Sequence, residues 1–157
     1  KTADEIMPSL VGSEMCIETG RIHRALWDEE LGGLNRYPEY WDRNNGGYGP
    51  WPHFTLQLAR HFINIGDEDT AEQYIGWCVE IAYEDLLPEH ISTIERFELW
   101  LETYRNANIL TDKKLVMING IKQHPKWKDG FAYVTTPLLW PHAEYIRTYS
   151  LWLRTFR

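Results

Sequence analysis

Two cysteines in 157 residues, Cys16 and Cys78, are too few and too far apart for a disulfide framework or a zinc knuckle. The six histidines fall in no H-E-x-x-H or comparable ligand spacing, and no zinc site is expected. Positive charge is in deficit, with 16 Lys and Arg against 23 Asp and Glu and a formal charge of −7. A basic stripe able to displace counterions from a phosphate backbone is therefore missing, which argues against a nucleic-acid partner. No apolar run approaches the ~20 residues of a membrane span. There is no Walker loop, no dinucleotide fingerprint and no G-x-S-x-G elbow. A metal or nucleotide enzyme is not expected on these grounds, and neither is a cofactor.

Aromatic residues, by contrast, are abundant: 8 Trp, 9 Tyr and 5 Phe. They concentrate in one loop, Arg36–Leu58, which reads R-Y-P-E-Y-W-D-R-N-N-G-G-Y-G-P-W-P-H-F-T-L-Q-L. Its glycines permit tight folding-back. Flat aromatic faces and a guanidinium fork are what a pocket needs to hold an uncharged, hydroxyl-rich ring such as a sugar. A turn-rich connection with core aromatics would have a similar composition. The string L-V-G-S-E-M-C-I at Leu10–Ile17 is what one reading frame of a common transposase sequencing adapter encodes, so it carries no weight here, Cys16 included.

The rest of the chain reads as helices joined by loops of unequal length, and the expected class is all-α. A first helix spans about Thr2 to Trp27 and ends before Gly32-Gly33. A second spans Pro52–Ile65, with Trp51, Phe54, Leu58, Ala59, Phe62, Ile63 and Ile65 spaced by threes and fours. Gly66 supplies a left-handed stop and Asp67 or Asp69 a cap for a third helix. That helix aligns Ala71, Tyr74, Ile75, Cys78, Ile81 and Ala82, so the pair forms an αα-hairpin. Cys78 reads as a small buried thiol on its stripe. After a loop over Glu84–Ile91, Ser92 and Glu95 have capping-box spacing for a helix to about Ala107, with Ile94, Phe97, Leu101 and Tyr104 aligned. A shorter helix over Asp112–Lys122, a loop over Gln123–Pro137 and a final helix over Leu138–Thr155 complete the reading. At this length a single domain with its own core is expected. The broad apolar stripes and the aromatic and acidic loops between helix pairs suggest an α/α toroid with a site at one end.

Glu89, in L-P-E-H, is a carboxylate on a short loop stiffened by Pro88, and so a candidate general base, although a helix-initiating Pro-Glu pair is a common alternative. Together with R-Y-P-E at Arg36–Glu39, G-P-W at Gly49–Trp51 and P-L-L-W-P-H-A-E-Y-I at Pro137–Ile146, it resembles the C-terminal part of the glycoside hydrolase family 15 catalytic domain, the glucoamylase-like enzymes. The likeness covers most of Arg36–Ile146 and is poorest over Ile94–Ala132. It implies an (α/α)6 barrel that hydrolyses α-glucosidic bonds of α-glucans or maltooligosaccharides with inversion, using two carboxyl groups roughly 6.5–9.5 Å apart. By this resemblance Glu89 activates the water, Arg36 binds hydroxyls of the glucosyl unit, and Trp51 and Trp140 wall the pocket and pack against the sugar ring.

His90 departs from the Gln frequent after the base in that family. The family's general acid lies on an acidic, Trp-containing loop that nothing before Arg36 matches. Trp27-Asp28-Glu29-Glu30 sits too close to R-Y-P-E and reads as a solvated helix end. The expectation is a fragment holding five or six of twelve barrel helices, inactive alone and belonging to a longer enzyme. Two alternatives stay open: a trehalase with the same motifs, and a catalytically incomplete helical sugar-binding or structural fragment.

Overall fold

The computed structural model describes residues 20–38, 47–106, 118–124 and 126–157. Among them are five helices: α1 (residues 20–26), α2 (Pro52–Ile65), α3 (Glu68–Ile81), α4 (Ile94–Asn106) and α5 (Leu139–Phe156). Three strands accompany them: β1 (His90–Thr93), β2 (Ile118–His124) and β3 (Trp127–Val134), in an antiparallel sheet ordered β1-β3-β2. The fold is mostly helical, as the all-α expectation has it in the main, with a small three-stranded sheet that the expectation lacked. Most of the expected first helix, the R-Y-P-E glutamate Glu39, residues 10–17 and residues 112–117 lie outside the described residues.

The α2/α3 hairpin forms as its sequence dictates. Gly66 adopts φ +81°, and the N–H groups of Gly66 and Asp67 donate to Ile63 and Phe62 carbonyls at 3.1 and 2.9 Å, closing α2 with a left-handed cap. Asp67 Oδ1 then accepts from the Thr70 N–H at 3.1 Å and opens α3. Helix α2 is the central one, packed against both α3 and α5. Covered on two sides, it buries His53, Thr55 and Leu56 as well as Leu58, Ala59 and Ile63, whereas Ile65 stays largely exposed. The expected single stripe is thus too narrow. Cys78 is fully buried in this core, and burial pushes its thiol pKa well up.

The sheet replaces expected loop and helix. Residues 118–122, read as the end of a helix, belong to β2, and the expected loop Gln123–Pro137 contains β3. Phe131, Ala132, Tyr133 and Val134 are all buried, so both faces of β3 are covered there, and β3 is the middle strand, with β1 and β2 on its two edges. The hairpin is fastened to the helices by Trp127, whose Nε1 donates to the Glu30 carbonyl at 2.9 Å, and by Lys122, whose Nζ meets the Ala82 carbonyl near the end of α3. The helix cap expected at Ser92 shifts by one residue: Thr93 Oγ1 accepts from the Arg96 N–H at 3.2 Å, and Ser92 lies in β1.

Segment 47–50 runs along β1. The Ile91 N–H donates to the Pro50 carbonyl at 3.1 Å, Ser92 Oγ to the Tyr48 carbonyl at 2.9 Å, and His90 Nε2 to the Gly47 carbonyl at 2.9 Å. Approach is so close that a Cβ at residue 49 would lie 1.8 Å from the Ile91 carbonyl oxygen. Gly49→Ala is therefore expected to lower the melting temperature sharply, since backbone rather than a flexible side chain must move. Gly76→Ala is the matched control. A Cβ there meets nothing within 4 Å on a helix interior, so it should stabilise by about 0.4–1 kcal/mol in a denaturant titration.

Candidate functional site

The L-P-E-H loop is held from two directions. On the β1 side, segment 47–50 grips His90, Ile91 and Ser92 as described. Opposite, the Glu89 N–H donates to the Val134 and Thr135 carbonyls at 2.9 and 3.2 Å, and the Leu138 N–H donates to the Leu87 carbonyl at 3.2 Å. The Leu87 N–H donates to His142 Nε2 at 3.1 Å, so that nitrogen must be the unprotonated one, and Nδ1–H faces the Leu138 carbonyl. The G-P-W, L-P-E-H and P-L-L-W-P-H segments thus meet at one place, although up to 55 residues separate the bonded partners.

Backbone strain borders this loop. Thr135, a β-branched residue, has φ +52°, and Glu84 and Asp85 have φ +50° and +62° in the tight Tyr83–Leu86 turn. Left-handed backbone costs a non-glycine residue roughly 1–2 kcal/mol. Glu89 itself is half-buried, and among the described residues none donates a hydrogen bond or pairs in charge with its carboxylate. It is a fixed carboxylate with unused acceptor capacity.

Rings connect the other expected residues to it. Trp51 is only 2% exposed and stacks on His90 with ring centres 5.4 Å apart and planes 13° apart. The Arg36 guanidinium lies 5.2 Å from the Trp51 ring centre and 5.0 Å from that of Tyr37. His53 meets Trp51 edge-on at 5.7 Å and Trp140 edge-on at 6.0 Å. Arg36, Trp51, His53 and Trp140 therefore form one continuous chain of contacts, with His90 stacked on Trp51 and Glu89 next to His90 in sequence. Trp51 serves as the buried partner in this chain, and Trp140, 68% exposed, is the open aromatic face.

Three buried atoms at the centre, Trp51 Nε1, His53 Nδ1 and His90 Nδ1, have no hydrogen-bond partner. His90 is wholly buried with Nε2–H committed to Gly47, so a second proton at Nδ1 would be a bare buried charge. Desolvation lowers its pKa to about 4, only partly offset by the Gly47 bond. The His53 pKa is also lowered, first by burial and then by the Arg36 charge.

The Trp27–Glu30 turn is corrected from a solvated helix end. Asp28 is 3% exposed, accepts from the Glu30 and Leu31 N–H groups at 3.1 and 3.0 Å, and pairs with Arg96 at 2.7 Å. Arg96 also bonds Glu30 at 3.0 Å and lies 4.0 Å from the Tyr48 ring centre. The sequence offered no sign of this anchor, because Arg96 stands 68 residues from Asp28 on an amphipathic helix. His53 and His90 were equally silent, although each adjoins a motif. Among the described residues no cluster of three His, Cys, Asp or Glu side chains could hold a metal ion, and no helix is long and apolar enough to cross a membrane.

No family model matches this chain, and comparison with curated proteins and with solved structures finds no match.

The buried histidines fix a pH dependence. Between about pH 6.5 and 4 the unfolded chain binds protons that folded His90 and His53 refuse, so stability is full above pH 6.5 and falls as pH drops. For His90 the difference between 6.5 and about 4 corresponds to about 3 kcal/mol. Chemical denaturation at pH 7, 5.5 and 4 should give a shallower decline for His90→Gln than for the wild type. Parallel curves would remove His90 as the cause.

Proposed function

We propose that this chain forms part of an inverting α-glucosidase acting on α-glucans or maltooligosaccharides, with Glu89 as the general base. The observation that carries this reading is the pinning of the L-P-E-H loop between the two other motif segments, with the Glu89 carboxylate left unengaged among the described residues. A general base must be positioned before its pKa matters, and backbone bonds on both sides of Glu89 supply that positioning. Arg36 supports the reading as well. Its guanidinium lies against Trp51 and Tyr37, and among the described residues it forms no ion pair. Among the described residues its donors are unengaged, which suits contact with sugar hydroxyls. Trp140 offers an exposed ring for the apolar face of a pyranose.

The partner acid belongs elsewhere in this proposal. Asp28 and Glu30 are both engaged by Arg96, so the Trp27–Glu30 turn does not supply it. Within the same proposal the chain is a C-terminal part of an (α/α)6 barrel, in which the sheet continues directly from the base loop.

Glu89→Gln, made in the polypeptide that carries these motifs with its upstream acid, should reduce maltose hydrolysis about 10²–10⁴-fold. Glutamine keeps size and hydrogen-bonding capacity, so maltose affinity should be unchanged. Wild-type turnover in that variant would sink the assignment, and trehalose run beside maltose would identify a trehalase. Arg36→Lys keeps the charge but loses the planar fork, and should cost about 1.5–3 kcal/mol in kcat/KM. Unchanged kinetics would make Arg36 a surface residue only.

A further inference from the structure

A cleft between α2 and α5 is lined by polar and aromatic side chains. It has a volume of about 430 Å³ and is lined by His53, Gln57, Trp140, Ala143, Glu144 and Arg147. That size falls within the roughly 300–1,000 Å³ of small-molecule sites. Trp140 presents its exposed indole on one wall. Glu144 is fixed by an ion pair to Arg60 at 2.5 Å, whereas Arg147 is exposed and has no ion pair among the described residues.

His53 differs from the other polar groups of the cleft. Its ring is held by Phe54 at 3.9 Å, by Trp51 at 5.7 Å and by Trp140 at 6.0 Å, and the residue is only 8% exposed. Of its two nitrogens, Nδ1 is shut away without a partner, which leaves Nε2 as the one available to the cleft that His53 lines. Burial and the nearby Arg36 charge keep the ring neutral at pH 7. A neutral, immobile imidazole can donate to or accept from a hydroxyl without the desolvation cost of a charge, and its order is already established before a ligand arrives.

We propose that His53 is a ligand-contacting, specificity-determining residue, hydrogen-bonding through Nε2 to a hydroxyl of an uncharged pyranose that stacks on Trp140 in the α2/α5 cleft. The inference rests on the reading of the site as one for α-glucosides, and it extends that reading to a residue outside the motifs. Gln57 and Arg147 reach the same ligand from the two flanking helices, so the hydroxyl rim is met from both sides.

Calorimetric titration with maltose tests it, independently of turnover, on the wild type, His53→Phe and His53→Gln. Phenylalanine keeps the ring packing against Phe54 and Trp51 but removes both nitrogens, and should weaken maltose binding about 3–10-fold at an unchanged melting temperature. Glutamine restores a hydrogen-bonding group and should recover most of the affinity. Wild-type affinity in His53→Phe, or no maltose binding by the wild type, overturns the proposal. Weakened binding in both variants with a matching fall in melting temperature marks His53 as a packing residue and also overturns it. His53-dependent binding without any hydrolysis sustains the contact while defeating the Glu89 reading, so the two can fail separately.

Discussion

The contact between Gly49 and the backbone of β1 sets the geometry of everything around it. Residues 47–50 lie against His90–Ser92 so closely that only a hydrogen fits at residue 49, and three hydrogen bonds fasten the pair. Helix α2 begins three residues later, so its start is fixed relative to the sheet. Trp51 is thereby set onto His90, and Tyr48 beneath Arg96. Arg96 then reaches Asp28, tying the turn after α1 to the same point. One close backbone approach thus joins α1, α2, β1 and α4.

This arrangement has costs that packing alone does not explain. A wholly buried histidine, two further orphan nitrogens and a threonine in left-handed backbone all lie within or beside the L-P-E-H loop. Each unpaired buried polar atom carries a penalty of about 1–3 kcal/mol. Proteins tolerate such penalties where the surroundings over-determine the geometry, and they cluster where geometry serves function. Here the surrounding constraint is visible: the Glu89 N–H donates to carbonyls at the end of β3, and its neighbours donate to carbonyls of segment 47–50.

The helices were legible because their signals are local. Gly66, Asp67 and the three-and-four spacing of α2 and α3 lie within a few residues of the structure they specify, and the boundaries of α2 were read to the residue. The sheet was not legible, for three physical reasons. Strand β3 is buried on both faces, so Phe131–Val134 shows no alternation. Strand β2 carries register shifts against β3 that break its period. Strand β1 holds buried His90 and Ser92, whose Nε2 and Oγ donate to carbonyls 43 and 44 residues away. Polar residues are read as exposed unless their distant partners are known.

The same division between local and distant signals holds at the candidate site. Glu89, Arg36, Trp51 and Trp140 could be named from short motifs, but the contacts that make them one unit run through His53 and His90. Both histidines sit one or two residues from a motif, and a sequence gives no measure of whether such a residue is surface or core. Their significance comes from burial by Trp51, and Trp51 is buried because Gly49 lets its segment meet β1. Trp51 therefore contributes chiefly by holding Arg36, His53 and His90 in fixed relation, and the open faces of the site belong to Arg36 and Trp140. Of the two motif tryptophans, one is built into the framework and the other stands open at the surface.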